Sequence, residues 1–287
     1  MAVTGASGLL GRALARALAE HGVEVVPIAR DATRLETGGL EARRAPPADA
    51  VVHLAFPTSA AERRRDPEAT RQRVLGAARG AVALASALRA RHVVLASTGK
   101  VYGADAAVPL ADDVPARPTT ELGRVKLAAE EQARAHARAT GAALTVLRIF
   151  NAYGPGQAPG FFFPTLLSGL AAGRLVLGEL DHGRDWVHAR DVAAGFVTAL
   201  GAPPPPGETR TLGLGTGRAT TVREILALVR RLGHAVPEPV IDAERRRERE
   251  AEVERTLATG LRALGWAPET SLEDGVAELL GQPSGSR

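Results

Sequence analysis

The feature that most constrains this chain lies at its start. Thr4-Gly5-Ala6-Ser7-Gly8-Leu9-Leu10-Gly11 follows the short apolar run at residues 2–4 and leads into an amphipathic stretch over residues 9–20. Glycines at this spacing between a strand and a helix allow a tight turn, close approach of the backbone to a pyrophosphate, and close helix–sheet packing. The phosphates then lie at a helix N-terminus, where free N–H groups and the helix dipole favour negative charge. Gly5, Ser7, Gly8 and Gly11 are therefore candidate dinucleotide contacts. Such a turn opens a βαβ unit and commits the chain to a parallel sheet.

The rest of the first half follows that rhythm. Apolar, β-branched runs predict strands over residues 2–4, 23–29, 50–55, 92–97 and 143–149, and Ala/Leu/Arg-rich stretches predict helices over 9–20, 68–89 and 124–140. Strands with little polar alternation belong in a parallel sheet covered on both faces. After residue 150 the pattern changes. Gly154-Pro155-Gly156 and Pro159-Gly160 mark loops, and prolines 203–206 read as a linker. Helices are expected over 163–172, 192–200, 222–232 and 272–280. The expected fold is α/β, a Rossmann-type doubly wound parallel sheet with a smaller, interleaved C-terminal substrate lobe. Its expected parts are a dinucleotide-binding domain over 1–150, the lobe over 151–281, and a flexible tail over 282–287.

Composition excludes several functions. The 287 residues contain no cysteine, which removes disulfides, thiolate nucleophiles and Cys-ligated metals. No metal site is expected either, because His53, His136, His182 and His188 lack ligand spacing. Net charge is only +4 and aromatics make up 3%, too little positive field and too few stacking surfaces for nucleic acid. The charged run at 244–250 mixes arginine with glutamate and reads as a solvated face. No apolar run approaches a membrane span, and Met1 leads almost directly into the glycine turn, so a cytoplasmic protein is expected. Of 36 basic residues only Lys100 and Lys126 are lysine, which makes their positions informative.

The end of the second predicted strand bears on the cofactor. A carboxylate there suits the ribose hydroxyls of NAD, whereas an arginine accommodates the additional phosphate of NADP. Arg30 follows Pro27-Ile28-Ala29 and favours NADP, while Asp31 keeps NAD open.

Across nearly its whole length the sequence resembles the extended short-chain dehydrogenase/reductases, a family of nucleotide-sugar epimerases, dehydratases and ketoreductases. The resemblance is carried by the glycine turn, by Val51-Val52-His53-Leu54-Ala55, and by Leu95-Ala96-Ser97-Thr98 followed by Val101-Tyr102-Gly103. It continues through Leu147-Arg148-Ile149-Phe150-Asn151-Ala152-Tyr153-Gly154-Pro155-Gly156, then Arg184-Asp185-Trp186-Val187-His188, and finally Leu264-Gly265-Trp266. The resemblance implies that Thr98 bonds the reacting sugar oxygen and that Lys126 holds the nicotinamide ribose. It implies that Asn151 and Arg184 hold the nucleotide diphosphate, with a further phosphate contact from residues 245–249. It also implies a nucleotide-sugar substrate and a homodimer.

The pattern breaks at one decisive position. The family's proton-transferring tyrosine lies four residues before the lysine, one helical turn away, and here that position is Leu122. Ala77 is a second departure, where the family has an asparagine ahead of Gly80. Three readings stay open. Lys100 could supply the proton, since a lysine partly desolvated beside a cofactor can do acid/base work. The proton could instead come from substrate or water. The chain could also bind nucleotide and sugar nucleotide without turnover.

Overall fold

The structure, a computed structural model, describes residues 1–28, 47–56, 66–242 and 251–282. In chain order the elements are β1 (Ala2–Thr4), α1 (Leu9–Glu20), β2 (Val26–Ile28), β3 (Ala50–His53), α2 (Pro67–Ala87), β4 (His92–Thr98), α3 (Glu121–Thr140) and β5 (Ala143–Ile149). They continue as β6 (Asn151–Tyr153), α4 (Phe162–Ala171), β7 (Val176–Leu177), β8 (Gly183–His188), α5 (Ala189–Gly201) and β9 (Thr209–Leu214). The last are β10 (Ala219–Thr221), α6 (Val222–Arg231), β11 (Val240–Ile241), β12 (Val253–Glu254), α7 (Thr259–Ala263) and α8 (Leu272–Leu279).

The main sheet has the order β2-β1-β3-β4-β5-β9, and every pairing in it is parallel. Every residue of β1, β3 and β5 is buried, as expected for strands covered on both faces. Helices α2 and α3 pack together on one face, where Val82, Leu84, Ala133 and Ala137 meet Val51, Val93 and Leu144. On the other face Leu14 and Leu18 of α1 pack with Val192 and Phe196 of α5. Side-chain caps set several helix starts: Asp66 accepts from Ala69 N at 2.9 Å, and Thr120 accepts from Gly123 N at 3.1 Å. Gly141, at φ +74°, ends α3.

Some boundaries differ from expectation. Of the described part of the strand predicted over 23–29, Val26–Ile28 forms β2, with Pro27 tolerated because β2 is an edge. The third strand stops at His53 because Leu54 and Ala55 turn under the glycine loop. Helix α3 starts at Glu121 rather than 124, held by the Thr120 cap. The prolines at 203–206 lead into an unpredicted strand, β9, which closes the sheet beside β5. Gln282, placed in the tail on sequence grounds, is tied down: its Nε2 donates to Leu232 O at 2.9 Å. No helix among the described residues is long and apolar enough to cross a membrane.

Beyond the main sheet lies a second one, with β8 at its centre. One edge of β8 carries antiparallel β10, while parallel β12 and β6 pair with its first and last residues. Tyr153, Phe162, Phe163 and Trp186 form an aromatic cluster beneath it, with ring centroids 4.6–5.3 Å apart.

Candidate functional site

The glycine turn lies at the carboxyl end of β1. Gly5 has φ +73°, and a Cβ there would come within 2.8 Å of Ala55 N, so both conformation and space require glycine. A Cβ at Gly11 would lie 2.3 Å from Gly5 O, which explains why α1 can begin so close to its own loop. Gly8 caps α1 without a side-chain acceptor, and the first turn of the helix holds no acid. The dipole and N–H groups at that end are thus left for an anion. Ser7 is exposed at the mouth of this turn. Arg12 ties the loop to the lobe by donating to Ser7 O and, at 2.9 Å, to Gly156 O. Below the loop, Thr4 Oγ1 lies 2.7 Å from His53 Nδ1. Burial first, and the charge of Lys126 second, push the His53 pKa down to about 3, so the ring is a neutral strut. This cradle fits the pyrophosphate of a nicotinamide dinucleotide. Arg30 and Asp31, on which the choice of cofactor turns, lie outside the described residues, as do residues 245–249.

Lys126 rises from α3 toward the end of β4. Its Nζ donates to Ala96 O at 3.0 Å and lies 4.0 Å from the centre of the Phe56 ring. Burial lowers its pKa to about 8, against an opposing pull from Glu130. Thr98 ends β4, and its Oγ1 accepts from Lys100 N at 3.3 Å. Leu122, half-buried one turn before Lys126, offers only hydrocarbon.

Sequence reasoning missed the group that anchors this corner. Glu130 is 0% exposed and accepts from Ser97 Oγ at 2.5 Å, from Arg148 Nε at 3.1 Å and Nη2 at 2.9 Å, and from Arg134 Nη2 at 2.9 Å. Arg134 also donates to Thr211 Oγ1 at 2.9 Å. One carboxylate therefore joins α3 to β4, β5 and β9. Its position four residues after Lys126 puts both on one helix face, a spacing that could have flagged it.

The remaining candidates meet on the lobe sheet. Asn151 pairs in register with Trp186, and Glu254 with Arg184. Paired residues, and residues two apart on β8, share a face, so Asn151, Arg184 and Glu254 all point the same way. Arg184 is turned inward. Its Nη1 donates to Ala251 O at 2.8 Å and Gly183 O at 3.1 Å, its Nη2 lies 3.1 Å from His182 Nδ1, and its Nε is 3.9 Å from Glu254 Oε2. Lys100 Nζ is 2.8 Å from each Glu254 oxygen. Lys100 is thus a buried, paired residue and not a solvated loop side chain. The structure brings Lys100 and Arg184 onto one carboxylate, while Lys126 stands apart beside Phe56. Glu254 had no sequence signal of its own, because it follows closely on the charged run.

Comparison with known proteins agrees with this geometry. The family described as "NAD dependent epimerase/dehydratase family" matches residues 1–213. GDP-6-deoxy-D-mannose reductase of Pseudomonas aeruginosa is 30% identical over 297 residues, covering 97% of this chain and 95% of that protein. UDP-glucose 4-epimerase of Streptomyces lividans is also 30% identical, covering 93% of this chain and 90% of its own. Among solved structures, MoeE5 in complex with UDP-glucose and NAD superposes with a TM-score of 0.85 at 25% identity, covering 98% of this chain and 97% of that one. RMD from Pseudomonas aeruginosa complexed with NADPH gives 0.84 at 27% identity, covering 98% and 97%. The sheet, the glycine turn and these matches lead to one conclusion: the chain belongs to the NAD dependent epimerase/dehydratase family.

Proposed function

We propose that this protein carries out nicotinamide-dependent oxidoreduction or epimerisation at C4 of a nucleotide-linked sugar. The observation that carries the reading is the convergence at the carboxyl edge of one parallel sheet. The glycine turn after β1, Thr98 at the end of β4, and Asn151 just after β5 all lie there. Ligands of open α/β sheets bind outside that edge.

In this reading Gly5, Ser7, Gly8 and Gly11 hold the pyrophosphate, and Lys126 holds the nicotinamide ribose. Bound there, the dinucleotide accepts or returns a hydride. Thr98 hydrogen-bonds the reacting sugar oxygen, Lys100 moves its proton, and Asn151 and Arg184 face the nucleotide diphosphate. For Arg184 this requires the guanidinium to exchange some of its carbonyl partners for phosphate oxygens, which are stronger acceptors. Arg30 favours NADP, and the active unit is a homodimer.

A second reading, binding without turnover, is favoured by Leu122. The tests separate them. UDP-glucose and GDP-6-deoxy-D-mannose are each incubated with NAD and NADP, and nicotinamide absorbance and formation of the C4 epimer are followed alongside calorimetric binding. Turnover supports the first reading; tight binding of both ligands with no hydride exchange supports the second. Calorimetry should favour NADP by about ten- to hundredfold, the effect of one charge-assisted phosphate contact of roughly 1.5–3 kcal/mol. A preference for NAD overturns the assignment to Arg30. Leu122→Tyr gives the companion measurement, since a large gain in reduction marks a site that has lost its acid rather than replaced it.

A further inference from the structure

Glu254 is a buried carboxylate on the lobe sheet. It is 8% exposed and comes from β12, yet both its oxygens lie 2.8 Å from Lys100 Nζ, across 154 residues of sequence. We propose that Glu254 is the positioning residue of the proton-transfer lysine, holding the Lys100 nitrogen in one place and balancing its charge. The inference rests on the assignment of Lys100 in the proposed function.

Three observations support it. A lysine stem rotates about several bonds, and acid/base work needs its nitrogen within hydrogen-bond reach of a single oxygen. An interaction with both carboxylate oxygens narrows that freedom to one arrangement. Second, the pair joins the carboxyl end of β4 to the lobe sheet, so it lies where the two halves of the chain face each other. Third, Glu254 also faces Arg184, whose Nε lies 3.9 Å from its Oε2. Without the carboxylate, two cations that are each 9% exposed would lose a shared counter-charge.

The chemistry balances with the dinucleotide as redox partner. In the oxidative direction Lys100 first releases its ammonium proton to solvent. The sugar hydroxyl then gives its proton to that nitrogen, while the carbon's hydrogen would leave with two electrons as hydride to the oxidised nicotinamide. In the reverse direction the ammonium returns the proton to the carbonyl oxygen as the reduced nicotinamide returns the hydride. Glu254 keeps its charge throughout and stabilises the ammonium whenever it forms.

The test uses the full chain with UDP-glucose and NADP or NAD. Glu254→Gln should lower kcat about 10–100-fold, the range seen when a group orienting a working side chain is lost. It should also change the pH profile of kcat and leave the dinucleotide dissociation constant unaltered. Glu254→Asp should recover part of the loss, and the double variant K100M/E254Q should be no slower than Lys100→Met alone. Wild-type kcat and pH profile in Glu254→Gln, or fully additive losses, overturn the inference. If Glu254→Gln does not fold, the cycle is run with Glu254→Ala, and the same two outcomes decide. Lys100→Met with unchanged kcat instead overturns the role of Lys100 itself. A readout independent of turnover comes from the composition: isotope-labelled lysine gives only two ε-carbon resonances. Glu254→Gln should move the Lys100 resonance and not that of Lys126; an unmoved Lys100 signal shows that the pair does not form.

Discussion

His53 shows how a residue serves a site it does not enter. Its ring is 4% exposed, supports Thr4 beneath the glycine turn, and stays neutral because burial makes charging it costly. In the unfolded chain the imidazole protonates near 6.5, whereas in the folded chain it resists until about 3. Between those values the unfolded chain binds a proton that the folded chain refuses. Stability that is complete above pH 6.5 is therefore lost as pH falls toward 3. One such proton contributes about 1.4 kcal/mol per pH unit to the slope. His53→Gln should flatten the dependence of unfolding free energy on pH by that amount within this window. His92, whose pKa burial lowers to about 4, leaves a residual slope in the variant. Denaturant titrations at several pH values provide the check, and an unchanged slope would show that the ring is solvated. The sequence marks Thr98, Lys126 and the glycines as candidates because each stands in a local motif. It does not mark Glu254, whose contact with Lys100 spans half the chain.

At the scale of elements, α3 is held to the sheet by charge as well as by packing. Glu130 gathers Ser97, Arg134 and Arg148 around a buried carboxylate, and Arg148 also lies 4.8 Å from the centre of the Tyr102 ring. Removing one partner of a buried pair strands the other, which costs about 3–5 kcal/mol. Glu130→Gln should therefore lower unfolding stability by about that much, and adding Arg148→Met should restore most of it. Urea unfolding of the parent and the two variants measures this; equal stabilities of Glu130→Gln and the parent would mean that the cluster is open to solvent. The parent strands were legible because apolar runs of four to seven residues alternate with helical stretches. Strand β9 was not. Thr209-Arg210-Thr211 alternates with partly exposed side chains, and only its pairing with β5 makes it a strand. The α3 network was half legible, since Lys126 and Glu130 share a helix face while their partners come from three strands.

For the whole molecule, the first 150 residues complete the core on one face of the main sheet but supply only part of it on the other. Val187, Val192, Phe196, Leu212, Leu214, Leu261 and Trp266 all pack into the same cluster as Val3, Leu14 and Val94. Burying a large apolar side chain is worth about 1.5–3 kcal/mol, so these seven together rival the roughly 5–15 kcal/mol net stability of a typical protein. A fragment ending at residue 150 should accordingly show no cooperative thermal transition, whereas the full chain shows one. Circular dichroism on the two proteins decides it, and a cooperatively folding fragment would establish an independent dinucleotide domain.

The packing of α1 against α5 sets an order of events during synthesis. The glycine turn and α1 leave the ribosome before α5, and Val192 and Phe196, which cover Leu14 and Leu18, follow only after some 170 further residues. At about 5–20 residues per second, the apolar face of α1 waits on the order of ten to thirty seconds for its cover. Throughout that interval the nascent chain exposes the side of the helix that its cofactor end depends on. A chaperone that binds short apolar helices, or the dinucleotide itself arriving early, would act on this protein while it is still attached to the ribosome.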